Sequence, residues 1–174
     1  MKRIILIYGL IIGTVFCANI GFMVYWMYYN SEIKGNDVLG YAVMVLVFSL
    51  IFFGIRNYRN RYMGGYITFG KAFKTGSLIA LLASTMYVVC WLFCYYLFIP
   101  DFIDVYADYV LKNCTADNLA AKTQEMANLK EMYKNPFFVI LITYAEVLPI
   151  GIIVALISAL ILKKKPRLED PLKA

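Results

Sequence analysis

The stretch Phe137–Leu162, FFVILITYAEVLPIGIIVALISALIL, decides the fold class of this 174-residue chain. It contains one charged side chain, Glu146, and it runs directly into Lys163, Lys164 and Lys165. A helix needs about 20 mainly apolar residues to cross the hydrocarbon core of a bilayer. The stretch therefore predicts a transmembrane helix that ends at a cluster of lysines.

Three further apolar runs have the same character. Hydrophobic residues make up 62% of the chain and charged residues 16%, against about 45–50% and 25% in soluble domains. The first run is longer than the apolar region of a secretory signal, about 7–15 residues, and lacks a convincing cleavage site. We predict an all-α membrane protein with one domain over residues 1–174 and four transmembrane helices. The predicted spans are 4–29, 38–55, 72–99 and 137–162.

Lysine and arginine residues cluster at three places that a four-helix topology brings to one side of the membrane. Cytoplasmic loops carry an excess of these residues, so both termini are predicted to be cytoplasmic. The connection between the first two spans instead balances Lys34 against Glu32 and Asp37. The clusters are Lys2 with Arg3, the loop cations Arg56, Arg59, Arg61, Lys71 and Lys74, and Lys163, Lys164, Lys165 and Arg167 in the tail 163–174.

The connection 100–135 is predicted to form a two-helix extracytoplasmic cap between helices 3 and 4. Pro100 suits a first helical position. Thr115 can cap a second helix, and that helix ends at Asn135 before Pro136. Apolar residues recur at helical spacing in both halves. The cap either rests on the bundle or the membrane surface, or it serves as a docking surface for an extracytoplasmic partner.

The residue inventory excludes several classes of function. The chain has no histidine, which removes His-based triads and zinc sites. Its four cysteines fit small-residue packing better than a metal site or a disulfide. No nucleophile–base pair is evident, so we do not expect an enzyme. No cofactor and no bound metal are expected. The net charge of +6 follows membrane topology, so we expect no nucleic-acid partner.

Glu146 is the one charged side chain well inside an apolar run, and such residues are functional hypotheses by default. Counting to similar depth in the other spans defines an intramembrane polar site: Glu146, Asn19, Ser49, Ser84 and Thr85. In one interpretation, a protonated Glu146 is locked by hydrogen bonds to these side chains, since burial favours the neutral acid. In the other, Glu146 binds a proton or a cation during transport.

Small residues recur every four positions on three of the spans. Such ridges let helix backbones approach closely in a membrane. We expect the ridges of the first and fourth spans to pack against each other, or to join a homo-oligomer or a partner helix. The ridge residues are Gly9, Gly13, Cys17 and Gly21 on the first span, Gly76, Ala80 and Ser84 on the third, and Gly151, Ala155 and Ala159 on the fourth.

The loop from Arg56 to Lys74 mixes cations with aromatic residues and glycines. Its five cations, Arg56, Arg59, Arg61, Lys71 and Lys74, predict contact with anionic lipid headgroups or a cytoplasmic partner. The aromatic rings suit the headgroup level of the membrane. The spacing matches neither a Walker nor a Rossmann motif. The loop is therefore either a topology determinant with generic lipid contact, or a specific site for a lipid phosphate or a docked enzyme.

The same loop carries a family resemblance. FFGIRNYR from Phe52 and GGYITFGKAFK from Gly64 resemble the bacterial membrane family catalogued as domain of unknown function 4199. So do FIPDF from Phe98, MYKNP from Met132 and EVLPIG from Glu146. The resemblance implies a four-helix bacterial inner-membrane protein of the Bacteroidota type, with no established activity. It also suggests a glycosyltransferase acting at the membrane as a candidate partner.

Together these observations predict a non-enzymatic accessory or scaffold subunit of the inner membrane. Its basic loop would contact anionic lipid or a membrane-associated partner. The alternative is a small carrier for a proton-coupled solute or a lipid-linked intermediate, in which Glu146 titrates during the cycle.

Overall fold

The computed structural model describes residues 1–29 and 37–165, and this part of the chain is all-helical. The segment 30–36, with Glu32 and Lys34, and the tail 166–174, with Arg167, lie outside the described residues. The helices are α1 Lys2–Tyr29, α2 Asp37–Phe48, α3 Leu50–Tyr62, α4 Phe69–Leu97, α5 Phe102–Asn113, α6 Leu119–Tyr133 and α7 Pro136–Leu162, with a short 3₁₀ turn Ala116–Asn118 before α6.

Four segments of the described chain are long and apolar enough to cross a membrane, which confirms the predicted number of spans. They are Lys2–Trp26, Leu39–Tyr62, Phe69–Leu97 and Pro136–Leu162. Asn135 caps the last span: its side chain accepts a hydrogen bond from the Phe137 amide at 3.0 Å, and Pro136 is the first helical residue. Helix α7 then continues through Pro149 to its end.

The second span differs from the prediction. It is divided at Ser49, whose hydroxyl donates to the Leu46 carbonyl at 2.6 Å, and it continues to Tyr62 instead of ending at Ile55. Arg56, Arg59 and Arg61 are therefore helical residues, not loop residues. The long arginine side chains can reach a polar interface while their backbone stays helical.

Helix α4 lies at the centre of the packing, with α1 and α7 on either side of it. A Cβ at Gly9 would lie 2.6 Å from Leu82 of α4, and one at Gly76 would lie 2.8 Å from the Ala155 Cβ of α7. The expected contact between the ridges of the first and fourth spans is therefore wrong as a main interface. Both ridges pack on the third span, because α4 presents small residues to α7 and larger side chains to the glycines of α1.

The other ridge residues take different roles. Gly13 packs against the Met86 side chain of α4, and Gly151 faces Ala80 of α4 together with Phe48 of α2. Ala159 is fully buried. Gly21 has no neighbour within 4 Å among the described residues, so its predicted packing role is not supported.

Helices α5 and α6 form a hairpin over the end of the bundle that lies opposite both the chain start and Lys163. Lys130 of α6 pairs with Asp104 of α5 at 2.8 Å. Helix α5 starts at Phe102, so Pro100 precedes it, and the Thr115 hydroxyl accepts from the Asn118 side chain instead of capping a backbone amide. The predicted pair of helices is confirmed, while the side of the membrane on which it lies stays a prediction.

Candidate functional site

We define the basic end as the described residues 1–3, 56–74 and 163–165, which carry ten Lys and Arg residues and no Asp or Glu. Helix α3 closes at Gly64 and Gly65, whose φ values of 60° and 86° are readily adopted only by glycine. An antiparallel bridge then joins Ile67 to Lys164, with N–O distances of 3.0 and 2.9 Å. The turn and the bridge give the basic end a defined shape.

Arg59 is the structural cation of the basic end. Its guanidinium donates to the Leu162 carbonyl at 3.2 Å, in the last turn of α7, and to the Asn60 side chain at 3.0 Å. Carbonyls of a last helical turn have no partner within the helix, and the helix dipole favours a cation there. Arg59 therefore ties α3 to the end of α7.

The remaining cations of the basic end are directed outward. Lys164 lies 5.6 Å from the centre of the Tyr66 ring, a cation–π distance. None of these cations pairs with a carboxylate of the described chain. Their side chains are exposed, and they are Lys2, Arg3, Arg56, Arg61, Lys71, Lys74, Lys163, Lys164 and Lys165.

The predicted intramembrane lock does not form among the described residues. Thr85 accepts a hydrogen bond from the Tyr144 hydroxyl at 2.8 Å and donates to the Leu81 carbonyl. The Ser84 hydroxyl is buried without a hydrogen-bond partner in the described chain. The other three members, Asn19, Ser49 and Glu146, are exposed. Residues at equal depth on four helices need not lie on the helix faces that pack together. Ser49, for example, lies on an outer face of the bundle.

An aromatic layer crosses the bundle near mid-span. The Phe16 ring lies 5.0 Å from the Phe48 ring and 5.5 Å from the Tyr87 ring, both in edge-to-face arrangements. Phe16 and Phe48 are 1% and 0% exposed. The layer joins α1, α2 and α4. Sequence reasoning missed it, although counting aromatic residues to similar depth in the spans could have found it.

A second aromatic cluster attaches the hairpin to the bundle. The Tyr133 ring of α6 lies 5.3 Å from Tyr95, and the Phe102 ring of α5 lies 4.9 Å from Trp91. Burial, with a smaller contribution from the charge of Glu146, raises the pKa of Tyr133 to about 12, while a hydrogen bond with Trp91 acts in the opposite direction. These ring contacts hold both hairpin helices against the end of α4.

The cysteines lie apart from the charged residues. Cys17 and Cys90 line a shallow groove between α1 and α4, and the Cys17 thiol donates to the Met86 carbonyl at 3.9 Å. All four cysteines are free thiols. The described residues contain no group of three His, Cys, Asp or Glu side chains arranged to hold a metal ion.

Four helical segments that are long and apolar enough to cross a membrane indicate a multi-pass membrane protein. The chain matches the family described as protein of unknown function DUF4199 over residues 7–164, and it belongs to that family. No curated protein and no solved structure matches it.

Proposed function

We propose that this protein is a non-enzymatic accessory or scaffold subunit of a bacterial inner membrane, with both termini in the cytoplasm. Its basic end would contact anionic lipid and hold a membrane-associated partner, for which a glycosyltransferase is one candidate. The observation that carries the proposal is the basic end itself, where ten cations meet no acid in the described chain.

Electrostatics favour this role. Each lysine or arginine near an anionic membrane surface contributes roughly 1 kcal/mol of attraction. Aromatic residues interleave with these cations, as expected at the headgroup level. The rings on α3, the turn and the start of α4 are Tyr58, Tyr62, Tyr66, Phe69 and Phe73.

The defined shape of the basic end separates this role from a generic topology signal. Arg59 and the Ile67–Lys164 bridge hold three segments of chain together. Mutual repulsion would otherwise separate so many like charges. A surface held together against its own repulsion suits an anionic ligand that neutralises it.

Lipid contact is tested by native mass spectrometry of protein released from nanodiscs that contain phosphatidylglycerol and phosphatidylcholine. Retained phosphatidylglycerol is expected to fall when Arg56, Arg61 and Lys74 are changed together to Gln. The matched control changes Lys112 and Lys122 of the hairpin to Gln and is expected to retain the lipid. Equal retention by both variants would contradict the lipid role.

Partner contact and orientation need their own measurements. Mild-detergent purification of the tagged protein, followed by mass spectrometry, is expected to recover a stoichiometric membrane-associated protein that the triple Gln variant loses. A membrane-impermeant maleimide is expected to label Cys114 of the hairpin from the periplasmic side. Labelling of Cys114 from the cytoplasmic side alone would reverse the proposed orientation.

A second candidate function is a small carrier that uses Glu146. The observation that favours it is the position of Glu146 near the middle of an apolar span, since ionisable residues inside transmembrane helices often mark ion or proton pathways. The carrier and the scaffold use different parts of the molecule, so each can be tested while the other is left intact.

A further inference from the structure

Helix α1 carries a seam of side chains that the bundle covers along one half only. The seam has the alternating four- and three-residue spacing of a helix–helix interface. Its members are Tyr8, Ile12, Val15, Asn19, Phe22 and Trp26. In the half near the basic end, Tyr8 lies against Gly54 of α3, and Ile12 is fully buried. In the half near the hairpin, Phe22 and Trp26 are 62% and 54% exposed. The described chain therefore leaves the second half of the seam open.

Asn19 lies in the open half of the α1 seam. It comes seven residues before the end of the span Lys2–Trp26, which is about 10 Å along a helix. Its side chain is exposed, and within the described chain its carboxamide makes no hydrogen bond. A strongly polar group is thus directed away from the bundle at a depth where the bilayer is hydrocarbon.

An unpaired carboxamide is costly at this depth, because hydrocarbon offers no hydrogen bonds. Thr75 and Thr143 avoid the cost within their own helices, where each hydroxyl donates to the carbonyl one turn earlier, at 2.8 and 2.7 Å. Asn19 also carries an acceptor oxygen, and the backbone amides around it already donate within α1. The oxygen of Asn19 therefore needs a donor from outside its own helix.

A second copy of this chain supplies such a donor at the same depth. Copies that insert with one topology bring their α1 helices together in parallel, so that Asn19 meets Asn19. Two carboxamides facing each other across a two-fold axis exchange two N–H···O bonds, and each satisfies the other. A single Asn in an otherwise apolar seam also fixes the register and the number of helices that associate. The rings of Phe22 and Trp26, 6.0 Å apart, lie beside it for packing.

We propose that two copies of this protein pair through the open half of the α1 seam, with their Asn19 side chains hydrogen-bonded to each other. The small-residue ridge of α1 is not the contact, because Gly9 and Gly13 already meet Leu82 and Met86 of α4. The dimer goes beyond the scaffold role, and it depends on neither the basic end nor Glu146.

Förster transfer between donor- and acceptor-labelled copies in phosphatidylcholine liposomes, diluted stepwise with lipid, measures the dissociation constant of the dimer. Asn19→Leu is expected to raise this constant by about tenfold, or 1.4 kcal/mol, as for a hydrogen bond between transmembrane helices. Asn19→Gln keeps a carboxamide and should retain most of the affinity. The matched control Thr14→Val removes an exposed hydroxyl about 140° around α1 from Asn19 and should leave the constant unchanged. Transfer at the level of random monomers, or an unchanged constant for Asn19→Leu, would overturn the proposal.

Disulfide cross-linking tests the same contact with Asn19 intact. The four native cysteines are first changed to Ala. Phe22→Cys then places a thiol about 60° around α1 from Asn19, whereas the control Gly21→Cys places one about 160° away. Oxidation with copper phenanthroline in native membranes should join two Phe22→Cys chains and leave Gly21→Cys chains monomeric. Equal cross-linking of the two variants, or cross-linking of Phe22→Cys only to a different protein, would reject the α1 dimer.

The dimer and the scaffold role fail independently. Loss of bound phosphatidylglycerol contact in the protein with an intact α1 cross-link would reject the lipid role of the basic end alone. Retained lipid contact without the cross-link would reject the dimer alone.

Discussion

The α4–α7 interface leaves no room for a side chain at Gly76. A Cβ there would lie 2.8 Å from the Ala155 Cβ and 3.0 Å from the Ile55 Cδ1, whereas carbon atoms in favourable contact are about 3.5–4.0 Å apart. Overpacking of this kind costs about 1–3 kcal/mol. The better helix propensity of alanine offsets up to about 1 kcal/mol. Gly76→Ala is therefore expected to lower the free energy of unfolding by up to about 2 kcal/mol.

Unfolding in mixed micelles, titrated with dodecyl sulfate and followed by tryptophan fluorescence, measures this change. Gly21→Ala is the matched control, because no described atom lies within 4 Å of its Cβ position, and it should not destabilise. Adding Ala155→Gly to Gly76→Ala moves one methyl group across the interface and should recover most of the loss. A Gly76→Ala protein as stable as the wild type, or a double variant without recovery, would refute the packing argument.

Three further predictions concern other regions. Arg59→Gln should destabilise the protein by about 1–2 kcal/mol, because a carbonyl in the last turn of α7 loses a charged donor. Arg61→Gln should not destabilise it, and equal effects of the two substitutions in the same titration would exclude a capping role for Arg59. Mild oxidation should join Cys17 to Cys90 by a disulfide bond. Mass spectrometry would detect the bond as a loss of two hydrogens that Cys17→Ser abolishes. Failure to form this intramolecular bond would contradict the α1–α4 packing. The raised pKa of Tyr133 contributes stability that is fully present below about pH 10 and is lost as the pH rises towards about 12. The Tyr133→Phe protein should therefore lose stability less steeply between these pH values. An unchanged slope of stability against pH would refute this role of Tyr133.

The basic end illustrates how far a charge pattern can be read. The concentration of Arg56, Arg61, Lys71 and Lys74 is visible along the chain, because charge needs no fold to be counted. The capping role of Arg59 is not visible, since the Leu162 carbonyl lies 103 residues away in sequence. The pattern also indicated a loop where α3 continues to Tyr62, because arginine interrupts an apolar run without interrupting a helix.

The chain by itself determined the four spans and the helical hairpin, because the thickness of a bilayer converts an apolar run directly into a transmembrane helix. It also placed Glu146 near mid-span. Tertiary structure alone decided which helix faces pack together. Small residues of α1 and α7 both meet α4, and Phe16 of α1 meets Phe48 of α2 in the aromatic layer. Helix packing depends on contacts between residues distant in the chain, and a one-dimensional count of depth does not contain them.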